Sequence, residues 1–475
     1  MRSIIKQNLT NTYGYEKVIV IKLSEFILRH YTKKLEEQKG RTHAYSDLIH
    51  KIEGGDTIRR EFHNNSILVE LAIQQIREDR QEIETTQIKG RRVCYIIDSL
   101  KNIEELRLLR SVYRDIFYLF SIFSPEEERK KTLIEKGLAK DEAKEITEKD
   151  EYEDFDHGQH VRKTFVDGDF FIRSSKSNQE NIKKNIEKYL HLIFDSQIIT
   201  PTHQETAMYY AKSSAGNSAC LSRQVGAAIT DKNGIVLAQG WNDVPKCFGN
   251  VYRDSDDKPI RCKELGYCSN VKHRDEIYEN IIEEIDKILP KENSEQSVRI
   301  KKKSKLGIDI EKILRKSDFK NIIEYSRSIH AEMNAVIIGS QLTGDKMIGG
   351  NLYCTTYPCH NCARHIVLAG IKNIYYIEPY KKSLCLTLHK DSLTEDENDE
   401  TRVRILLYDG VAPRRYLDFF SMNNDNRKEK DGALKHHNCK TLSPKNRLSL
   451  QAIPELENQA IHALLECGFL KEEEL

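Results

Sequence analysis

The sequence predicts an α/β protein in two parts: a doubly wound parallel sheet over residues 1–195 and a three-layer α/β/α sandwich over residues 201–420. Three observations carry this reading. Short β-branched runs alternate with helix-length stretches between Val18 and Phe194, the rhythm of a parallel sheet with helices on its faces. A hairpin signal, two apolar runs joined by Asp231-Lys232-Asn233-Gly234, opens the second part. Helix, strand, helix and strand then follow between His330 and Ile377.

In the first part, strands are expected at Val18 to Lys22, Arg92 to Leu100, Phe117 to Phe123 and Asp169 to Ile172. Helices are expected at Leu23 to Leu35, Ile103 to Tyr113 and Asn178 to Phe194, with a charged, helix-prone arm over residues 125–155. The second part starts near Pro201 with a helix over Gln204 to Ser214. Its hairpin pairs Arg223–Ile229 with Ile235–Gly240 and exits through Trp241-Asn242-Asp243. An insertion over about 245–325 separates the hairpin from a helix that opens at His330 and is expected to stop near Gly339. A strand over Asn351 to Thr355 leads to a second helix, with Pro358 at its first position and Gly370 at its end, and then to a strand over Ile374 to Ile377. Later elements are a helix over Ser383 to His389, a strand over Val403 to Tyr408, and a polar tail over 421–475.

Composition narrows the class. With 475 residues the chain has room for two or three domains. A net charge of +1 offers no whole-chain attraction to nucleic acid or anionic lipid. No run of about 18 apolar residues and no apolar leader occurs, so no membrane span is expected. Eleven cysteines at irregular spacing point to reduced thiols and metal binding, and hence to a cytoplasmic protein.

Two short motifs hold the chemistry. His330-Ala331-Glu332 and Pro358-Cys359-His360-Asn361-Cys362 supply one imidazole, two thiolates and a carboxylate. Catalytic zinc keeps three such ligands and leaves a fourth position for water, so His330, Cys359 and Cys362 are the predicted Zn2+ ligands. Glu332, two residues past the histidine, is the predicted proton carrier. Taken singly, a C-x-x-C is also a redox pair or half of a structural zinc knuckle, and an H-x-E arises by chance. The predicted helix openings favour the joint reading, because Cys359 and Cys362 fall three apart on one face of a first turn. Positive helix ends there lower thiolate pKa values.

The H-x-E and P-C-x-x-C pair is the signature of zinc-dependent nucleobase deaminases. Arg223-Gln224-Val225-Gly226-Ala227, Gly240-Trp241-Asn242, His330 through Ala335 and Thr356-Tyr357-Pro358-Cys359 resemble the blocks of deoxycytidylate deaminases. Residues 201–420 therefore resemble a CMP/dCMP-type zinc deaminase domain of cytidine-deaminase-like fold. Residues 1–195 resemble a P-loop NTPase or nucleotide-kinase-like domain, through a strand that ends in Asp98. Asp98 ending a buried strand for purely structural reasons is the competing reading. The phosphate loop G-x-x-x-x-G-K-[ST] is missing, from a late start or a degenerate domain, and with it the basis for a nucleotide-sensing role.

This order of domains, with Glu378 through Ser383 and Val411 through Arg415, is similar to bacterial anti-phage dCTP deaminases. The resemblance implies hydrolysis of free dCTP, and also dCMP, to deoxyuridine nucleotides and ammonia. It implies antiviral defence by dCTP depletion, a regulatory small RNA as partner, and a homo-oligomer. Two alternatives stand beside it: a housekeeping dCMP deaminase of pyrimidine nucleotide metabolism, and a polynucleotide-editing cytidine deaminase. Balanced charge and a single Trp speak against the editing class, which stacks bases in a basic groove.

Further residues follow from these readings. Asn242 is expected against the sugar 3′-hydroxyl, or else as a turn-stabilising residue. Tyr357 is expected either to line the ring pocket or to pack in the core. Arg223, Arg327, Arg414 and Arg415 are phosphate candidates, because guanidinium binds phosphate oxygens through a planar fork; a solvated surface charge is the alternative for each. Cys247, Cys262, Cys268 and His273 form a possible second zinc set, or are simply reduced cysteines. The run Lys301-Lys302-Lys303-Ser304-Lys305 is a solvated face or an RNA contact.

Overall fold

The computed structural model describes residues 1–471 apart from 32–39, 86–91, 153–160, 176–177, 289–309, 318, 320–321, 381–382, 423–425 and 447–449. The lysine-rich run at 301–305 therefore lies outside the described residues. The strands are β1 (Lys17–Lys22), β2 (Val93–Asp98), β3 (Phe120–Phe123), β4 (Phe170–Arg173), β5 (Gly226–Thr230), β6 (Val236–Trp241), β7 (Asn351–Thr356), β8 (Asn373–Glu378), β9 (Leu393–Thr394), β10 (Val403–Leu407) and β11 (Gly410–Val411). The chain divides into two compact units, Met1–Thr202 with Leu407–Leu475, and His203–Leu406. Among the described residues no helix is long and apolar enough to cross a membrane.

In the first unit β1 and β2 pair in parallel, from Lys17 opposite Val93 to Lys22 opposite Asp98. Their side chains alternate between two cores, as the two-residue period of a strand requires. Ile19, Ile21, Tyr95 and Ile97 join the core beneath the helices Leu23–His30, Ile67–Thr85 and Ile103–Tyr113. Val18, Cys94 and Ile96 join the core beneath the helices Arg2–Asn11 and Gln179–Phe194. Helices thus cover both faces, as predicted, but the predicted single sheet is not formed. β3 and β4 pair in parallel in a separate sheet, in which β4 spends its second edge on the antiparallel β11. That partner arrives more than two hundred residues later, which local alternation could not reveal. Asp98, at the end of β2, is held in an ion pair 2.7 Å from Arg2 Nη1.

The segment read as a polar tail is instead part of the first unit. Its helix Ile453–Glu466 places Ala460, Ile461 and Leu464 in the same core as Leu68 and Ile73. The apolar residues recur at helical spacing but are diluted by charged neighbours. One of these, fully buried Glu457, pairs with Arg80.

The second unit holds the sheet β6-β5-β7-β8-β10-β9. β5 pairs antiparallel with β6 and with β7, and β7 runs parallel to β8. The parallel pair needs a crossover, supplied by the helix His360–Leu368. Two glycines reveal the layers. A Cβ on Gly226 would lie 1.9 Å from the Ala211 carbonyl in the helix His203–Ala215. One on Gly240, which is opposite Ala227 and so faces the other way, would lie 2.4 Å from the Ala335 nitrogen in the helix Ala331–Thr343. The two helices therefore sandwich the sheet, giving the predicted three-layer order. Its helix after His330 runs on to Thr343 and ends at Gly344 rather than near Gly339. Gly339 is interior, where a Cβ would meet Met347 Sδ at 2.3 Å; its small size serves packing, not termination.

Leu464→Ala tests the assignment of the last helix to the first core. Truncating a fully buried leucine is expected to cost about 2–5 kcal/mol in chemical denaturation. A change near zero would detach the helix from that core.

Candidate metal and substrate site

His330 and Cys359 each occupy the cap position at the start of a helix, with extended backbone. The helix after His330 lies directly on β6, where Gly240 admits its backbone. Asn334 Nδ2 donates to the Trp241 carbonyl at 3.0 Å, and the Ile329 amide donates to the Asp243 carbonyl at 2.9 Å. His330 is thus clamped from both sides to the exit of the hairpin. Pro358 stands just before the cap instead of at the first helical position, so Cys359 itself caps the helix. Its Sγ accepts the Cys362 amide at 3.4 Å. A proline leaves its preceding residue extended, which suits a strand exit.

These two helix starts bring His330 Nδ1 to 3.3 Å from both Cys359 Sγ and Cys362 Sγ. Among the described residues this is the group of histidine, cysteine and acidic side chains gathered closely enough to hold an ion. Tetrahedral zinc, with bonds of about 2.0 Å to nitrogen and 2.3 Å to sulfur, separates such donors by roughly 3.5 Å. The spacing and donor chemistry fit. Cys362 is fully buried and Cys359 nearly so. The hydrogen bond from Cys362, with that of His330, pulls the Cys359 thiol down to about 4 despite burial. The same sulfur–sulfur hydrogen bond and burial push Cys362 well up. Burial works against His330, but its bond to Cys359 and the charge of Glu332 hold its imidazole up at about 9.

Glu332 is buried in the first turn beside these donors. Burial pushes its carboxyl above the usual range, with the His330 charge opposing. The thiol of Cys354, buried in β7, is pushed up by its own burial and by Glu332. Cys354 bore no motif in the sequence; only the register of β7 could point to it.

A cavity of about 360 Å³ opens from His330, Glu332 and Cys359, within the range of small-molecule pockets. Asn242 lines it, yet its amide is already engaged: Oδ1 accepts the Val225 amide at 2.7 Å and Nδ2 donates to the Arg223 carbonyl at 2.9 Å. These two bonds brace the strand exit, the turn-stabilising alternative for Asn242. Tyr357 also lines the cavity, its hydroxyl 3.2 Å from Glu395 and its ring edge-on to Tyr376. Arg223 lines the cavity, half-exposed and only 3.5 Å from Glu378, and so does Arg327, which donates to the Ile260 carbonyl at 3.2 Å.

Arg414 and Arg415 are not among the lining residues, all of which lie in the second unit. Buried Asp169 of the first unit engages both, Arg414 at 2.6 Å and Arg415 at 3.5 Å, because a desolvated carboxylate needs cationic partners. The second zinc set does not assemble among the described residues either. Cys247 is exposed, Cys262 Sγ lies 3.8 Å from Ser328 Oγ, Cys268 Sγ lies 3.6 Å from Ser222 Oγ, and His273 pairs with Glu276 at 2.8 Å. Conversely, Ser269 and Arg274 line the cavity from the insertion, where no motif marked them.

Residues 201–378 match the family model described as the cytidine and deoxycytidylate deaminase zinc-binding region. The chain is 48% identical over 56 residues to ComE operon protein 2 of Bacillus subtilis (strain 168), covering 12% of this chain and 29% of that protein. It is 40% identical over 55 residues to the deoxycytidylate deaminase of Enterobacteria phage T2, covering 12% and 29%. The chain thus spans less than a third of the length of these curated relatives. Among solved structures, the dCMP deaminase of cyanophage S-TIM5 in complex with dCMP and dUMP is similar at 20% identity over 44% of this chain and 99% of that one, with a TM-score of 0.25.

Two substitutions separate the roles in this site. Cys362→Ser is expected to lose most of the zinc by elemental analysis, whereas Glu332→Gln is expected to keep it. Gly240→Ala is expected to lower zinc content as well, because its Cβ would collide with the Ala331 and Ala335 backbone and displace His330. Full zinc occupancy in Gly240→Ala would show that the clamp is dispensable. The segment 201–378 thus both matches the cytidine and deoxycytidylate deaminase zinc-binding model and assembles the donor group His330, Cys359 and Cys362.

Proposed function

We propose that this chain hydrolytically deaminates free deoxycytidine nucleotides, dCTP and also dCMP, to deoxyuridine nucleotides and ammonia. The observation that carries the reading is buried Glu332 two residues past His330 of the donor group, in a cavity that is also lined by Arg223 and Arg327. A zinc ion, when bound there, supplies a Lewis acid that acidifies the attacking water. Glu332 accepts that water's proton and passes it to N3 of the cytosine ring as the new C4–O bond forms. It then delivers the second proton to the exocyclic nitrogen, the C4–N bond breaks, and ammonia leaves. Its carboxylate is well placed for both transfers because the first helical turn holds it next to the metal donors. Asn242 and Tyr357 form walls whose polar ends are fixed by Val225, Arg223 and Glu395, so the ring meets a preorganised surface. Arg223 and Arg327 supply cations for the phosphates.

The balanced net charge of +1 and the single Trp favour a free nucleotide over a polynucleotide, which needs a basic, base-stacking groove. Depletion of dCTP in antiviral defence, restraint by a small RNA, self-association, a cytoplasmic location and a P-loop-kinase ancestry for residues 1–195 complete the proposal. The location rests on the irregularly spaced cysteines, the ancestry on the strand ending in Asp98, and the others on the resemblance of the motif blocks and their order.

A substrate panel tests the chemistry. Zinc-loaded protein incubated with dCTP, dCMP, CTP and single-stranded DNA is expected to yield dUTP and dUMP with equimolar ammonia. Glu332→Gln is expected to lower that turnover by about 10²–10⁴-fold. Deamination of the DNA but neither deoxynucleotide would overturn the proposal.

A further inference from the structure

We infer that the opening turn of the helix Ser269–Ile288 is the phosphate-holding end of the cavity, with Ser269 Oγ, the first-turn amides and Arg274 as donors. This deepens the reading above and rests on its premise that the substrate is a nucleotide. Ser269, Asn270, Val271 and Arg274 line the same cavity as His330 and Glu332. The helix is 20 residues long and carries no acid in its first turn. Its positive end is therefore not offset locally. The Lys272 amide is bonded to the Cys268 carbonyl at 3.0 Å, so the amides of residues 269–271 precede the helical ladder and lack acceptors within it.

An independent observation points to a ligand. Ser269 is only 4% exposed and lines the cavity, and its Oγ has no hydrogen-bond partner among the described residues. A buried hydroxyl without a partner costs about 1–3 kcal/mol, which a bound phosphate oxygen would recover. Arg274 stands about one turn further along the same helix, and Arg327 lines the same cavity. Main-chain amides, a hydroxyl and guanidinium groups around one concave surface are the donor set for a phosphoryl group.

The test compares kcat/KM for dCMP and dCTP with that for deoxycytidine, which has no phosphate. In Arg274→Gln the nucleotide-to-nucleoside ratio is expected to fall about 10–100-fold, mainly through KM, and in Ser269→Ala about 10-fold. Arg274→Lys should recover part of the loss. An equal loss on all three substrates would overturn the inference by showing a merely structural role. Calorimetry with inorganic pyrophosphate reads the same site without chemistry. Binding by the zinc-loaded protein that disappears in the Ser269→Ala, Arg274→Gln double variant supports the inference, and absent or unaltered binding overturns it. Should none of the three substrates turn over, the proposed function fails, while the pyrophosphate measurement still decides the phosphate site.

Discussion

The candidate site depends on a helix backbone lying directly on a strand at Gly240. No side chain separates the two there: a Cβ would sit 2.5 Å from the Ala331 carbonyl and 2.4 Å from the Ala335 nitrogen. Close contact makes the start of that helix a fixed extension of the hairpin. The hydrogen bonds from Asn334 to Trp241 and from Ile329 to Asp243 hold the two in register. Asp243 in turn forms a buried ion pair with Arg261 at 2.9 Å, which anchors the start of the insertion to the same strand exit. Hairpin, helix and the segment around Arg261 are therefore braced together beside His330. Precision in the donor group follows from main-chain packing more than from the donors' own flexibility.

Burial then sets the electrostatics. Two thiols, an imidazole and a carboxylate share a space largely closed to water, where isolated charges are costly. Both helices present their positive ends there, and the donors lean on one another through hydrogen bonds. His330, Cys359 and Cys362, their donor atoms within 4.8 Å of one another, would hold a zinc ion there. The same cavity is lined by the braced side chains of Asn242 and Tyr357 and by the cationic Arg223, Arg274 and Arg327.

The first unit is built on a different constraint, the two-sided burial of β1 and β2. Alternate residues of both strands enter separate cores, so each strand reads as a continuous apolar run. One of those cores is completed by the last helix of the chain, and the second sheet by β11. Neither closing element is near in sequence to what it closes. This also explains the engagement of Arg414 and Arg415: the turn after β11 carries them to Asp169, whose burial demands charge compensation.

Periodicity and turn chemistry in the sequence determined the elements: the hairpin, the crossover helix ending at Gly370, the β-branched strands, and the donors His330, Cys359 and Cys362. These depend on interactions within a few residues, which local patterns record. The tertiary structure alone decided which elements close which core, why Gly339 is a packing residue instead of a stop, and how Asn242 divides its hydrogen bonds. It also separated Arg223 and Arg327, which reach the cavity, from Arg414 and Arg415, and brought in Cys354, Ser269 and Arg274. Such assignments depend on contacts between segments distant along the chain. A residue's type and its neighbours carry no record of those contacts until the sheet register and the helix positions are set.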